Sequence, residues 1–409
     1  MPQLLSINNY YYRRGGSEAV FLEHNRLFEE AGWTVIPFAM QDAKNLPTPW
    51  AQHFPHAVEL AGSQPLTDKI AAAAKLIYSL EAARRVRQLL RNTRPTIAHA
   101  HNIYHHLSPS VLVELHRQQI PSVLTLHDLK IACPAYKMFT NGNVCERCRG
   151  GALRNVVIQR CIKGSTFMSA LIWLESTVHR MMDIYQKNVT QFIVPSRFFL
   201  SKMHSWGFDT SRFTYVPNFV HIDSQESHTT AVGDAFVYLG RLVPEKGVAT
   251  LIRAAARAGV RLLIAGTGPD EASLKELAAQ CGGDVRFAGH VSGSTLRQTI
   301  ASARAVVVPS EWYENAPMSL MEAYAVGRLV IGARIGGIPE LIREGETGFL
   351  FESGDVENLA DVLSRVRDES EPTLGQMGRA GREWMQAEFT PELYRDRMLA
   401  LYRAIEPAA

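Results

Sequence analysis

The sequence has no apolar run long enough to cross a membrane: its longest mostly apolar stretch, FMSALIWL at 167–174, falls far short of the roughly 18 residues a spanning helix needs. It also lacks a strong charge bias. The 43 Lys and Arg against 40 Asp and Glu leave a net charge of +3, too little to argue for a nucleic-acid partner, and no RNA- or DNA-binding signature accompanies it. The amino terminus does not have the order of charge, apolar core and small-residue site that a secretory leader requires, so a cytoplasmic protein is expected. Tandem repeats and low-complexity tracts are missing. No GxGxxG fingerprint follows a strand, which argues against an NAD enzyme. Cysteine is scarce, five residues in 409, and four of the five crowd into 133–161. What remains is ordinary globular composition, 46% apolar and 20% charged, with enough chain to bury two sizeable cores.

From Ala235 onward, short β-branched apolar segments alternate with helical patterns: AFVYLG then VATLIRAAARAG, VRLLIAG then DEASLKELAAQ, AVVVPS then PMSLMEAYAVG. Strands of that kind belong to a parallel sheet covered on both faces by helices. The first half follows the same grammar with longer interruptions: QLLSINN, TVIPFAM, TIAHAHN, SVLTLHD and QFIVPS. The fold class is therefore α/β, with two doubly wound domains facing each other across a cleft. The first is expected over 1–223 and carries the cysteine-rich insertion 133–161. The second is expected over 224–388, with the boundary in the polar stretch Ser224 to Gly233 where periodicity lapses. A last helix over 389–409 is expected to cross back to the first domain. Ligands of open α/β sheets lie beyond the carboxyl ends of the strands, so the loops leaving each strand carry the chemistry.

Two carboxylates, Glu314 and Glu322, flank Pro317 in SEWYENAPMSLMEAYAVG. Proline pre-sets its own backbone for a first helical turn and pushes Ala316 away from helical geometry, so the helix is expected to begin at Pro317. Glu322 then lies on the order of 8 Å along the axis, with the free amides of Met318 and Ser319 between the two acids. That arrangement suits a ligand with hydroxyls at both ends and a diphosphate in the middle, a nucleotide sugar, with Glu314 on the sugar and Glu322 on the ribose. For the pair alone, a loop charge and an exposed helix residue are the bland alternative. In LGRLVPEKG, Arg241 and Lys246 bracket a turn at the same sheet edge, where two cations offset the charge of a departing diphosphate. Gly15 and Gly16 precede a helix at Ser17 after the first strand, where glycine lets backbone approach phosphate.

The ordered set GRLVPEKG, LLIAGTGPD, VRFAGHV, VVVPSEWYENAPMSLMEA, IGGIPELI and GETGFLF resembles the retaining nucleotide-sugar glycosyltransferases of glycosyltransferase family 4, which have the two-domain GT-B fold. The resemblance implies transfer of a hexose from a UDP-, GDP- or ADP-sugar to a hydroxyl of a glycan or lipid-linked acceptor, in bacterial cell-surface polysaccharide or glycolipid synthesis. It puts acceptor on the first domain and donor on the second. By it, Glu314 contacts the transferred sugar, Glu322 binds ribose, Arg241 and Lys246 hold the diphosphate, the Gly15–Gly16 loop caps it, and backbone near Val291 meets the base. Where the family pattern has glycine and an aromatic after the first glutamate, this chain has Asn315, Ala316 and Pro317. Pro317 lacks an amide hydrogen, and Asn315 is the expected substitute contact. His127, ending SVLTLHD, lies against the donor sugar by the same resemblance. Retention without a placed nucleophile implies front-face substitution, with the leaving phosphate taking the acceptor proton and His127 positioning and polarising.

In HAHNIYHH, His99 and His101 alternate onto one strand face. A cleft-lining role beside Asn102 on the acceptor side is expected for His101 and a packing role for His99, with metal ligation as the alternative. No catalytic metal is expected, as the resemblance implies. Cys133, Cys145, Cys148 and Cys161 have the spacing of a structural zinc site, which would hold together an insertion too small for its own core; free thiols, a disulfide or an iron–sulfur site are the alternatives. Cys281 is expected to have no role. In YSLEAARRVRQLLRNTR, Arg84, Arg87 and Arg91 border an apolar stripe of Leu76, Leu80, Ala83 and Leu90, which reads either as a peripheral contact with an anionic membrane surface or as a solvated helix face. An epimerase or hydrolase on the same fold and a non-catalytic nucleotide-sugar module are the competing functions. A glycosidase has paired carboxylates but no use for a diphosphate cradle.

Overall fold

The computed structural model describes residues 1–58, 66–222 and 232–406. Its strands are β1 (Gln3–Ile7), β2 (Thr34–Phe38), β3 (Ile97–Ala100), β4 (Ser122–Thr125), β5 (Phe139–Thr140), β6 (Asn143–Val144), β7 (Gln191–Val194), β8 (Phe213–Tyr215), β9 (Ala235–Leu239), β10 (Arg261–Ala265), β11 (Val285–Gly289), β12 (Ala303–Val308), β13 (Val330–Ala333) and β14 (Gly348–Phe351). They form two six-stranded sheets, ordered β2-β1-β3-β4-β7-β8 and β11-β10-β9-β12-β13-β14, and every pairing in both is parallel. β5 and β6 make a separate antiparallel hairpin inside the cysteine insertion. β12, ARAVVV, is buried at every position, as a central strand covered on both faces by helices must be. In each sheet the order reverses between the first strand and its neighbour (β1/β3, β9/β12), and at such switch points adjacent connections diverge and open a crevice.

The expected boundary at 224 lies outside the described residues. One core gathers the second sheet and its helices, from Val220 to Phe389, and another gathers the first. The terminal helix Pro391–Ile405 belongs to a third: Tyr394, Met398 and Tyr402 pack with Leu4, Val20 and Phe28 of the first domain. The chain thus returns across the molecule. Glu340 of the second domain accepts hydrogen bonds from the amides of Arg197, at 2.8 Å, and Phe198, the exposed donors at the start of helix Arg197–Ser205 in the first.

Two sequence readings are corrected here. The helix after Pro317 spans Met318–Val326, and Pro317 itself is the extended N-cap with ψ 119°. The supposed basic amphipathic segment is two helices, Leu66–Ile77 and Leu80–Asn92. The break comes at Ser79, whose hydroxyl accepts from the Ala82 amide at 3.1 Å and so caps the second helix. Leu76 and Ala83 are buried and Leu90 packs on the first-domain core, so the stripe faces inward except at Leu80, which is exposed. Arg87 is spent on a two-pronged pair with Glu114, at 2.8 and 2.7 Å. No helix among the described residues is long and apolar enough to cross a membrane.

Candidate active site

The carboxyl ends of β9 and β12 lie side by side, and this brings together groups far apart in sequence. β12 leads into the loop bearing Ser310 and Glu314; β9 leads into the short turn Pro244–Lys246. Glu314 is 6% exposed, and its carboxylate accepts from the Lys246 ammonium at 2.5 Å and from the Ser310 hydroxyl at 2.7 Å. Burial alone pushes its pKa up, but the Lys246 charge and hydrogen bond outweigh that and hold it below the ordinary glutamate value. Lys246 also lies 5.3 Å from the Trp312 ring centroid. The loop cannot shift easily. Gly336 and Gly337 press on its backbone so closely that a Cβ on Gly337 would stand 2.0 Å from the Asn315 carbonyl oxygen, and the Gly337 amide donates to the Glu314 carbonyl at 2.8 Å.

Helix Met318–Val326 starts four residues after Glu314, and its first amides have no side-chain cap. Across the cleft, Gly15 is the extended N-cap of helix Gly16–Glu30, and a Cβ on Gly16 would come within 3.5 Å of the Met318 side chain. The Gly15–Gly16 loop therefore roofs the mouth of the Met318 helix. Glu322 lies half-buried on that helix with its pKa raised by burial and partly offset by Arg13, which places Arg13 near it. Arg241 is exposed, with no side-chain partner among the described residues. Val291 lies half-buried just beyond β11.

On the first-domain wall, His127 follows β4. His101 is fully buried and stacks between His99 and His127, with centroids 4.4 and 5.1 Å away. The expectation that His101 lines the cleft is corrected: it lies behind His127 and donates to or accepts from it, Nδ1 to Nε2, at 2.8 Å. Burial lowers His127 to about 4 and holds His101 well below the usual histidine range, so both are neutral at physiological pH. The His101 Nε2 is buried with no partner. An orphaned buried N–H is the costlier defect, so the proton belongs on His101 Nδ1, which donates to His127 and leaves His127 with its own proton on Nδ1. Asn102 holds the same loop through its amide, which donates to Asn8 at 3.0 Å.

His99 packs, as expected: it bonds Tyr402 at 2.6 Å and Thr125 at 2.7 Å. Among the described residues, His24, His99 and His101 bring three ring nitrogens within 4.8 Å of one another. The trio is buried, has no carboxylate, and five of its six ring nitrogens are already hydrogen-bonded, so it suits a packed core better than a divalent ion.

Asn315 is also corrected. Its side-chain amide donates to the Leu126 carbonyl at 2.9 Å and its oxygen accepts from Ser196 at 2.8 Å, so it clasps the two domains together and only its backbone is free for a ligand. The cysteine insertion reaches the same region: Lys137 pairs with the buried Glu245 at 2.5 Å, next to Lys246, and Glu146 accepts from Tyr313 at 2.6 Å, next to Glu314. Its four cysteines are free, with Cys133 and Cys148 buried. The Cys148 thiol feels the other three and is pushed up to about 12, chiefly by burial. No three of the sulfurs lie within 4.8 Å of one another, whereas zinc at ~2.3 Å from each sulfur holds them under about 4 Å apart. The thiols are gathered but more open than a zinc tetrahedron.

The family profile described as "Glycosyltransferase Family 4" matches residues 14–224, and "Glycosyl transferases group 1" matches 225–384. The chain belongs to glycosyltransferase family 4. Among its relatives is the GDP-mannose-dependent monoacylated alpha-(1-6)-phosphatidylinositol monomannoside mannosyltransferase of Corynebacterium glutamicum, 33% identical over 39% of this chain and 44% of the relative. Another is the lipopolysaccharide core biosynthesis glycosyltransferase LpsE of Rhizobium meliloti, 32% identical over 47% of this chain and 56% of that one. These matches span about half the length of the curated relatives. In fold the chain resembles sucrose-phosphate synthase from Thermosynechococcus elongatus, with a TM-score of 0.73 at 20% identity over the whole of both chains. It also resembles Anabaena HepE in complex with UDP and glucose, with a TM-score of 0.69 at 16% identity over 99% of this chain and all of that one. The fold is GT-B.

Sequence reasoning missed several residues of this family 4 site. Arg13 adjoins the glycine pair and was legible as a cation in a phosphate-facing loop. Ser310 holds Glu314 from four residues away in the same loop, while Ser196 and the Asn315 clasp it serves had no local signal, because the two partners lie 119 residues apart.

Proposed function

We propose that this chain is a retaining glycosyltransferase that moves a hexose from a nucleoside diphosphate sugar to a hydroxyl acceptor. The observation that carries the reading is the buried Glu314–Lys246 pair beside the uncapped start of helix Met318–Val326, roofed by Gly15 and Gly16. In the proposed complex the diphosphate accepts from the Met318 and Ser319 amides and from Arg241 and Lys246, which neutralise it as it leaves. Glu322 takes the ribose hydroxyls, with Arg13 beside it, and backbone near Val291 meets the base. Glu314, already ionised, accepts from the sugar hydroxyls, and His127, protonated on Nδ1, donates to the sugar.

In the transfer step the bond from sugar C1 to the phosphate oxygen breaks, and the electron pair stays on the diphosphate. The acceptor oxygen attacks the same face of C1, and its proton passes to the leaving phosphate oxygen. His127 is too weak a base at about 4 to take that proton, which supports its positioning role. The relatives that act on phosphatidylinositol mannosides and the lipopolysaccharide core support a cell-surface glycan or lipid-linked acceptor.

Two measurements test the reading. A thermal-shift panel of UDP-, GDP- and ADP-sugars is expected to show one nucleotide stabilising the chain, by about 2.7 kcal/mol at a hundredfold excess over Kd. With that donor, NMR of the product is expected to show the donor's anomeric configuration. No stabilisation by any nucleotide, or an inverted product, overturns the reading; an epimerised free sugar selects the epimerase instead.

A further inference from the structure

Six of the ten large apolar side chains left exposed among the described residues fall in one short segment: Ile158, Phe167, Trp173, Leu174, Met181 and Met182. They are not scattered. Phe167, Leu174 and Met181 recur at sevens along helix Thr166–Met181 and so share one face, with 69%, 44% and 81% exposure. The buried side of the same helix is spent on the core, where Leu171 and Ile172 pack with Leu76, and Glu175 pairs with Lys130 at 2.7 Å. A soluble helix needs one apolar face. This one has two, and the second has nothing on it among the described residues.

The charge around that face is mostly positive. From Glu146 to Asp183 the chain carries six Lys or Arg (Arg147, Arg149, Arg154, Arg160, Lys163 and Arg180) against three acids: Glu175 is buried and paired, Glu146 is paired with Lys202, and Asp183 alone is exposed. Arg154 and Arg180 are exposed, without hydrogen-bond or ion-pair partners among the described residues, and line one open surface cavity with Trp173, Thr177 and Met181. An exposed apolar stripe bordered by unpaired cations, with a tryptophan between, matches an anionic lipid surface, whose acyl region takes the stripe and whose phosphates take the arginines.

We propose that helix Thr166–Met181 and the adjoining Arg154 dock this protein on an anionic bilayer. The surface differs from the inward-facing segment that the sequence alone suggested, and it does not depend on the proposed transfer reaction. Charge complementarity favours the bilayer over a second copy of the chain, because two such faces brought together would oppose cation to cation.

The test is flotation of the full chain with vesicles of phosphatidylcholine alone or mixed with phosphatidylglycerol. The wild type is expected to float with the mixed vesicles and not with the neutral ones, and to be released by salt. Arg154→Gln with Arg180→Gln is expected to weaken partitioning on the order of 25-fold, from about fivefold for each cation removed. Phe167→Ser with Leu174→Ser and Met181→Gln, all at exposed positions, is expected to abolish it while leaving the melting temperature and donor binding unchanged. Failure of the wild type to float with anionic vesicles, or equal flotation of the variants, overturns the proposal. So does a dimer in solution that the triple variant converts to monomer, since the stripe would then be covered by a second copy.

Discussion

Replacing Lys246 with methionine keeps the length of the side chain and removes its charge, leaving Glu314 as a buried carboxylate with only Ser310 to hold it. Breaking a fully buried pair costs about 3–5 kcal/mol. Because the Lys246 side chain is 25% exposed, water shares its charge, and a loss of about 2–3 kcal/mol is the appropriate expectation. For a domain of this size that lowers the melting temperature by roughly 5–10 °C. The pH dependence distinguishes this cause from general damage. In the wild type the Glu314 pKa is depressed, so its stabilisation is present above the unfolded value and is lost as pH falls below it. Without Lys246, burial dominates and raises the pKa, so the penalty applies at high pH and is relieved as the carboxyl group takes a proton. The gap between wild type and variant should be widest at about pH 8 and narrow towards about pH 5. Adding Glu314→Gln to the variant removes the buried charge and should recover most of the loss. Differential scanning calorimetry of the three proteins at both pH values decides it. A gap that does not change with pH, or a double variant no more stable than Lys246→Met, refutes the reasoning.

Burial pushes Asp128 up to about 6, so its contribution is favourable below the ordinary aspartate range and is lost as pH rises through that value; Asp128→Asn should melt higher than wild type at about pH 8 and no higher at about pH 4. Gly337→Ala forces its new methyl group against the Asn315 carbonyl and Ser196, so a loss of about 1–3 kcal/mol is expected, with donor binding weakened alongside; thermal melts with and without nucleotide check both. Zinc added to the reduced chain is expected to close the four-cysteine cluster, taking up about one ion and masking the four thiols from a thiol reagent. Cys145→Ser with Cys148→Ser should abolish that uptake, and a wild type that takes up no zinc rules out the metal site.

The second domain was the more legible half. Its strands are short, β-branched and separated by periodic helices, so both the sheet and the loops at its carboxyl edge follow from pattern alone. Glu314 and Lys246 are 68 residues apart, yet each ends a strand-and-turn that the sequence marks, and two parallel neighbours must bring such ends together. Asn315 was misread because its partners, 189 and 119 residues away, lie on the other domain, and no local pattern encodes how two domains close. His101 was misread for a related reason. Strand alternation says which face a residue takes, not that helix Gly16–Glu30, through Phe21 and His24, packs over the His101 ring. The helix break at Ser79 was legible as a serine cap and was overridden by the periodic arginines.

The central claim is that a nucleoside diphosphate occupies the mouth of helix Met318–Val326. A crystal structure with the stabilising nucleotide tests it most directly. The diphosphate is expected on the Met318 and Ser319 amides with Arg241 and Lys246 on its oxygens, and the ribose on Glu322. A nucleotide bound elsewhere, or a ribose turned away from Glu322, contradicts it.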